Sequence, residues 1–199
     1  MTAGSGPVAG LLLAAGGGSR LGGRPKALLP FRGRPLVEHG VRVLREGGCA
    51  HVSVVLGAAA DDVLADADLT GAQVVRNAEW GTGMGSSLRA GLAALPRDAS
   101  AVVVTLVDMP GAGAAAVARL IGEHRVRGAE LAAAAYYGRR GHPVLFASRW
   151  WDAVAAVARG DAGARGFLAA HAADLRLVEC GDVAEAYDID TPDDLGRLG

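Results

Sequence analysis

Apolar and polar positions switch between two periods along this chain. Positions 8–14 are apolar throughout, as in a strand covered on both faces. Val37, Gly40, Val41 and Leu44 then recur at i, i+3, i+4 and i+7, and the pattern stops at Gly47-Gly48, which predicts an amphipathic helix. His51 leads into a second strand at 52–56, and residues 73–76 form a short third. Leu88, Gly91, Leu92 and Leu95 repeat the helical spacing, with Pro96 just past the end. Residues 101–107 are the most strongly β-branched run and predict a central strand. Val117, Leu120, Ile121 and His124 mark another helix. Residues 131–137 and 143–146 read as strands separated by Gly138-Arg139-Arg140-Gly141. Two alanine-rich helical segments, a strand at 175–179 and a last helix after Pro192 complete the pattern.

Strands alternating with helices imply crossover connections. The expected fold is therefore α/β: a single doubly wound domain over residues 1–199, with a mainly parallel sheet. No linker-like stretch and no repeat of 20–50 residues interrupts it. In such sheets ligands bind beyond the carboxyl ends of the strands. Chemistry is expected just after Ala14, Arg76, Val107 and Tyr137.

Composition narrows the function. With 20 Lys+Arg against 21 Asp+Glu, the net charge is −1, so no whole-protein charge draws the chain to nucleic acid or membrane. Glycine supplies 30 of 199 residues, roughly twice ordinary usage. Without a G-X-Y period these glycines must serve turns and close backbone approaches. Cys49 and Cys180 lack zinc-site spacing and are expected to be reduced thiols of a cytoplasmic protein. No apolar run approaches the ~20 residues of a membrane span. The run from Val8 to Ala15 has no preceding Lys or Arg and passes into Gly16, so it reads as a buried strand and not a signal peptide.

The first strand opens into Ala14-Ala15-Gly16-Gly17-Gly18-Ser19-Arg20-Leu21-Gly22-Gly23-Arg24-Pro25-Lys26. Glycines let backbone N–H groups turn toward a phosphate, and Arg20 and Lys26 add charged donors. Spacing rejects the named alternatives. A dinucleotide fingerprint from Gly16 needs glycine where Leu21 stands, and from Gly17 where Ser19 stands. A P-loop needs Gly-Lys-Ser/Thr where Gly23-Arg24-Pro25 stands, and Gly85-Ser86-Ser87-Leu88-Arg89 is no nucleophile elbow.

Leu13-Ala14-Ala15-Gly16 followed by Gly18, Arg20, Gly22, Lys26 and Leu28-Leu29 resembles the signature loop of the MobA-like nucleotidyltransferases, and within them the molybdenum cofactor cytidylyltransferases. The resemblance continues in order through Asn77-Ala78-Glu79-Trp80, Gly83-Met84-Gly85-Ser86-Ser87-Leu88 and Asp108-Met109-Pro110. It extends over Arg140-Gly141-His142-Pro143-Val144-Leu145-Phe146, Gly160-Asp161-Ala162-Gly163-Ala164-Arg165 and Asp188-Ile189-Asp190-Thr191-Pro192-Asp193-Asp194-Leu195. Leu21 departs from the methionine of many relatives, a swap of similar volume. Ala15 matches the pyrimidine-nucleotide form of the loop, where GTP-using members carry glycine.

The resemblance implies transfer of CMP from CTP to the phosphate of a molybdopterin-type cofactor, with release of pyrophosphate. Ala14, Ala15, Gly16, Gly17, Gly18 and Ser19 would bind the nucleotide with Gly83, Ser86 and Ser87, and Lys26, Arg20 and Asp108 would be catalytic. Arg140, His142 and Arg165 would face the acceptor. A triphosphate at its reacting centre calls for a divalent cation, here Mg²⁺ on Asp108 and Asp190, with Asp188 as the alternate ligand. A molybdoenzyme client would be a partner. Each residue also has a plainer role: Asp108 as a turn residue, Thr191 or Asp190 as a helix cap, Ser86 and Ser87 as caps of the helix they open. His142 need not be a base, because a phosphate monoester is largely ionised near neutral pH. Trp150-Trp151 reads as core. Three rival functions remain: a cytidylyltransferase for sugar or polyol phosphates, a guanylyltransferase, and a non-catalytic accessory protein.

Overall fold

The computed structural model describes residues 6–198. In chain order the elements are β1 (Val8–Ala14), β2 (Pro30–Phe31), β3 (Arg34–Pro35), α1 (Leu36–Glu46), β4 (His51–Leu56), α2 (Ala60–Asp66), β5 (Gln73–Arg76), α3 (Met84–Ala93) and β6 (Ala101–Leu106). They continue with α4 (Ala114–Arg127), β7 (Leu131–Tyr136), β8 (Arg139–Ala147), α5 (Trp151–Val157), α6 (Arg165–Ala170) and β9 (Leu175–Glu179). Seven strands form one sheet in the order β5-β4-β1-β6-β8-β7-β9, and β2 pairs only with β3. The pairs β1–β4, β1–β6, β4–β5 and β7–β9 are parallel; β8 alone runs antiparallel to its neighbours β6 and β7. The mainly parallel α/β sheet expected from the sequence is present.

β1 explains why its apolar run does not alternate. All seven residues are buried. Val8, Leu12 and Ala14 join the layer beneath α1 and α4, with Val37, Val41, Leu44, Val117 and Leu120. Ala9, Leu11 and Leu13 join the opposite layer beneath α3, α5 and α6, with Leu88, Leu92, Val154 and Phe167. Each fully buried leucine here contributes about 1.5–3 kcal/mol of transfer free energy. The chain runs outward from β1 through β4 to β5, then returns to the other side of β1 as β6. The order reverses between β1 and β6, and their carboxyl ends meet there, where such sheets bind ligands.

Three sequence expectations change, and one element is new. The hairpin β7–β8 is longer than expected: its turn is only Tyr137-Gly138, and residues 139–142 are strand, not loop. Pro143 lies inside β8, where the pairing with β7 shifts register between Ala133 and Ala135, an irregularity that accommodates a residue without N–H. The segment after Pro192 is a 3-10 helix, not an α-helix. Thr191 stands before it and accepts the Asp194 N–H at its carbonyl (3.1 Å), but neither the Thr191 nor the Asp190 side chain caps it. Instead the Asp194 carboxylate accepts hydrogen bonds from the Thr191 and Asp190 N–H groups (2.9 and 3.2 Å) and from the Thr191 hydroxyl (2.8 Å). The short α2 had no sequence expectation, since its alanines and aspartates carry little apolar periodicity. Both cysteines are free and buried.

Candidate functional site

β1 and β6 end side by side, and each delivers a segment to the same point. After β1 the chain passes Gly16 and Gly17 and folds into a 3-10 turn, Ser19–Leu21, anchored by the buried Leu21. Gly18 opens it in the left-handed region, φ 63°, and its carbonyl accepts the N–H groups of Leu21 (2.8 Å) and Gly23 (3.1 Å). A methyl group on Gly18 would sit 1.8 Å from the Arg24 carbonyl oxygen. Gly18→Ala is therefore expected to reshape the loop. Nucleotide affinity should fall at least about tenfold while the melting temperature moves by only a few degrees. Calorimetric binding beside a thermal melt checks both halves.

Pro25, extended at φ −60°, directs the chain into a second 3-10 turn, Lys26–Leu28. The Lys26 ammonium donates to Asp108 Oδ2 at 2.7 Å and to Asp190 Oδ1. Asp108 follows β6. Asp190 lies beside it because the Ile189 N–H donates to the Asp108 carbonyl (2.9 Å) and the Ile189 side chain is fully buried. Burial alone would lower the Lys26 pKa, but the Asp108 and Asp190 carboxylates outweigh it and hold the value above that of an ordinary lysine. Lys26 is charged, with a side chain only 16% exposed. Arg20 meets the outer oxygen of Asp190 at 3.5 Å, but it is largely exposed, so that pair is weak.

Two cavities adjoin this cluster. One, of about 320 Å³, is lined by Ala15, Gly16, Gly18, Lys26, Trp80, Gly83, Ser87, Asp108 and Asp161, among others. The other, of about 640 Å³, has an apolar floor that includes Val104, Val144 and Phe146, and polar walls from Arg139, Arg140, His142, Arg165 and Asp188. Leu13, Met84, Leu106 and Asp161 line both, so the two form one bipartite cleft.

The structure sorts the sequence candidates. Lys26, Asp108 and Asp190 come together. Asp188 is on the far side of Ile189 from Asp190 in sequence and lines the larger cavity, where Arg140, His142 and Arg165 also lie. Ser86 is buried, and its hydroxyl donates within the protein to the Glu79 and Gly83 carbonyls (3.0 and 2.9 Å). It does not line the cleft; Ser87 does. Gly83, not either serine, is the helix N-cap residue of α3. Gly17 faces Ala58 and Trp80 rather than the cavity, and Ser19 and Arg20 are exposed. Ala14 is a buried strand residue. Trp150 packs on Phe167 and His171, and the Trp151 indole N–H donates to the Phe146 carbonyl, so this pair is core.

The second loop carries a feature that the sequence concealed. Asn77 donates from its side-chain amide to the Ser86 and Ser87 hydroxyls (2.8 and 3.0 Å), pinning the start of α3. A methyl group on Gly85 would lie 2.6 Å from the Arg159 nitrogen, and one on Gly83 2.5 Å from the Gly160 carbonyl carbon. These glycines let residues 158–161 lie against α3, joining the two halves of the cleft. His142 is held neutral: its burial lowers the pKa and Arg140 adds to that, against the Val104 carbonyl and Asp108. Its Nδ1 is buried without a hydrogen-bond partner.

Asp108 and Asp190 present two hard oxygen donors to a single positive charge, and among the described residues no group of three or more His, Cys, Asp or Glu is arranged to hold a metal. A cation here would complete its shell with phosphate oxygens and water, which is how Mg²⁺ and Mn²⁺ sit on nucleotides. The donor set fits such an ion. No helix among the described residues is long and apolar enough to cross a membrane.

A family model described as the MobA-like NTP transferase domain matches residues 10–175. The chain is 43% identical over 198 residues, 96% of each protein, to a nicotine blue oxidoreductase of Paenarthrobacter nicotinovorans. It is 38% identical over 128 residues, 60% of this chain and 57% of the relative, to a molybdenum cofactor guanylyltransferase of Xanthomonas euvesicatoria pv. vesicatoria. Among solved structures it superposes on Rv0371c of Mycobacterium tuberculosis H37Rv with a TM-score of 0.84 and 31% identity, covering 99% of this chain and 98% of that one. Rv0371c has also been solved in complex with manganese; against that structure the TM-score is 0.81 at 29% identity, over 96% and 97% of the chains.

Proposed function

The chain belongs to the MobA-like NTP transferase family, and from that premise we propose that it moves CMP from CTP to the phosphate of a molybdopterin-type molybdenum cofactor, releasing pyrophosphate. The observation that carries the transfer reading is the convergence of Asp108 and Asp190 on the Lys26 ammonium beside the Gly16–Gly18 turn. Pure binding of a nucleotide does not require two carboxylates and a lysine at one point. A transfer that builds charge at the α-phosphate does.

In this reading the acceptor phosphate oxygen attacks the α-phosphorus, and the bond to the β-phosphate oxygen breaks. The backbone N–H groups of the glycine loop hold the triphosphate. Lys26 stabilises charge at the α-phosphate, and Arg20 screens the departing pyrophosphate from the solvent side. Asp108 and Asp190 would hold Mg²⁺ or Mn²⁺, which supplies Lewis-acid charge stabilisation. Arg139, Arg140 and Arg165 around the larger cavity orient an anionic acceptor over its apolar floor. His142, kept neutral, contacts the acceptor as a hydrogen-bonding group and takes no proton from it.

Ala15 favours CTP over GTP, since its methyl narrows the loop side of the cavity relative to glycine. Pyrophosphate release should appear with CTP, Mg²⁺ and molybdopterin-type acceptor, and be weaker with GTP. Release with sugar phosphates instead would move the acceptor, and GTP preference would overturn the base assignment. Absence of release with every nucleotide would overturn transfer itself.

A second reading is favoured by the 43% identity to a protein named nicotine blue oxidoreductase. The apolar floor of Val104, Val144 and Phe146 suits a flat heteroaromatic acceptor as well as a pterin. In that reading the place of the triphosphate would be taken by a small-molecule reductant. Its oxidation in the presence of a heteroaromatic dye, without pyrophosphate release, separates the two.

A further inference from the structure

The smaller cavity contains one carboxylate that neither the transfer chemistry nor the fold employs. Of its polar side chains, Lys26 and Asp108 are paired with each other, and Ser87 accepts the Asn77 amide. Trp80 offers only an indole N–H donor. Asp161 is left, with no hydrogen bond or ion pair to any described residue. It sits at the waist of the cleft and lines both cavities. A lone carboxylate between a bound triphosphate and a phosphorylated acceptor would repel both, unless its oxygens meet donors from a neutral part of the ligand.

The backbone that carries it is held in place. Asp161 lies in the 3-10 turn Gly160–Ala162, which Arg159 and Gly163 close by a bridge. The turn rests on Gly83, where a methyl group would come within 2.8 Å of Asp161 Oδ1. Arg89 holds the preceding Ala158 carbonyl. The turn thus places an acceptor-only group against Gly83, in the same cavity as Ser87, Lys26 and Asp108.

We infer that Asp161 reads the edge of the nucleobase and selects bases that present an amine donor, so that CTP and GTP bind in preference to UTP. This rests on the nucleotide site proposed above. Cytosine offers its exocyclic amine, and guanine an amine beside a ring N–H. Uracil flanks its single N–H with two carbonyl oxygens, which a carboxylate repels. Asp161→Asn keeps the shape, removes the charge and adds a donor that uracil can use. Asp161→Ala removes the group altogether. As an exposed residue without partners, Asp161 should tolerate both changes.

Calorimetric titration with CTP, GTP and UTP, in Mg²⁺ and without acceptor, tests the inference, with circular dichroism confirming folding. Wild type should bind CTP at least about tenfold more tightly than UTP. Asp161→Asn should weaken CTP and GTP about tenfold and leave UTP unchanged or improved; Asp161→Ala should weaken CTP and GTP but not UTP. An unchanged CTP-to-UTP ratio in both variants overturns the inference and leaves the nucleotide site standing, even where acceptor KM shifts. Failure of the wild type to bind any of the three nucleotides overturns the inference and the nucleotide site together.

Discussion

Asp108→Ala should lower the rate of nucleotidyl transfer on the order of 10³-fold with the fold intact. The side chain stands at the end of the central strand β6, and its Oδ2 is 2.7 Å from the Lys26 ammonium. The backbone contact at this position survives the change, because the Ile189 N–H donates to the main-chain carbonyl of residue 108. What is lost is charge at the reacting centre. Lys26 keeps one carboxylate of its two, and a divalent cation held as proposed would lose one of its two hard ligands from the protein. Asp108→Asn tests the same point with nearly the same volume. It retains an oxygen but not the charge, and should recover little. Single-turnover transfer at saturating Mg²⁺ and nucleotide, with a thermal melt, gives the answer. A folded Asp108→Ala protein with more than about a tenth of the wild-type rate would remove Asp108 from the reaction centre.

The sheet was legible because its rule is local. A strand buried on both faces must be apolar at every position, and β1 is. A surface helix must repeat its apolar positions at i+3 and i+4, and α1 does. The first part of β8, residues 139–142, escaped because Gly138-Arg139-Arg140-Gly141 carries the local marks of a loop, and only its pairing with β7 overrides them. The site was legible in part. The glycines and Lys26 announce phosphate chemistry, but Lys26 is 82 residues from Asp108 and 164 from Asp190, and no periodicity reports contacts at that range. The family resemblance supplied those partners. Ser86 and Ser87 are adjacent and chemically identical, yet one is turned into the protein and the other into the cleft; their sequence holds no signal for that choice. Asp161 was hidden by its neighbours: in a run resembling an acceptor-side segment, nothing indicates that Gly83 leaves room for it to line the smaller cavity as well.

Lys26→Ala separates a transferase from a protein that only binds. The ammonium bridges two carboxylates, so its removal leaves Asp108 and Asp190 facing each other without the charge that holds them together. If Lys26 contacts charge that grows at the α-phosphate, kcat should fall about 10²-fold while CTP affinity falls less than about fivefold, since only interactions stronger in the transition state raise kcat. The lost bridge also releases like-charge repulsion, which a divalent cation can relieve. Raising Mg²⁺ should therefore restore stability and nucleotide binding more fully than it restores kcat. Lys26→Arg should recover little: a planar guanidinium cannot occupy the compact position between two carboxylates that the ammonium fills. Steady-state kinetics and calorimetry on both variants, across a range of Mg²⁺, distinguish these outcomes. A near-normal kcat in Lys26→Ala would reduce the lysine to a structural tie between β6 and the segment of Asp190. A loss of CTP affinity with kcat unchanged would instead make it a ground-state phosphate contact, and in either case the charge needed at the α-phosphate would have to come from Arg20 and the bound cation.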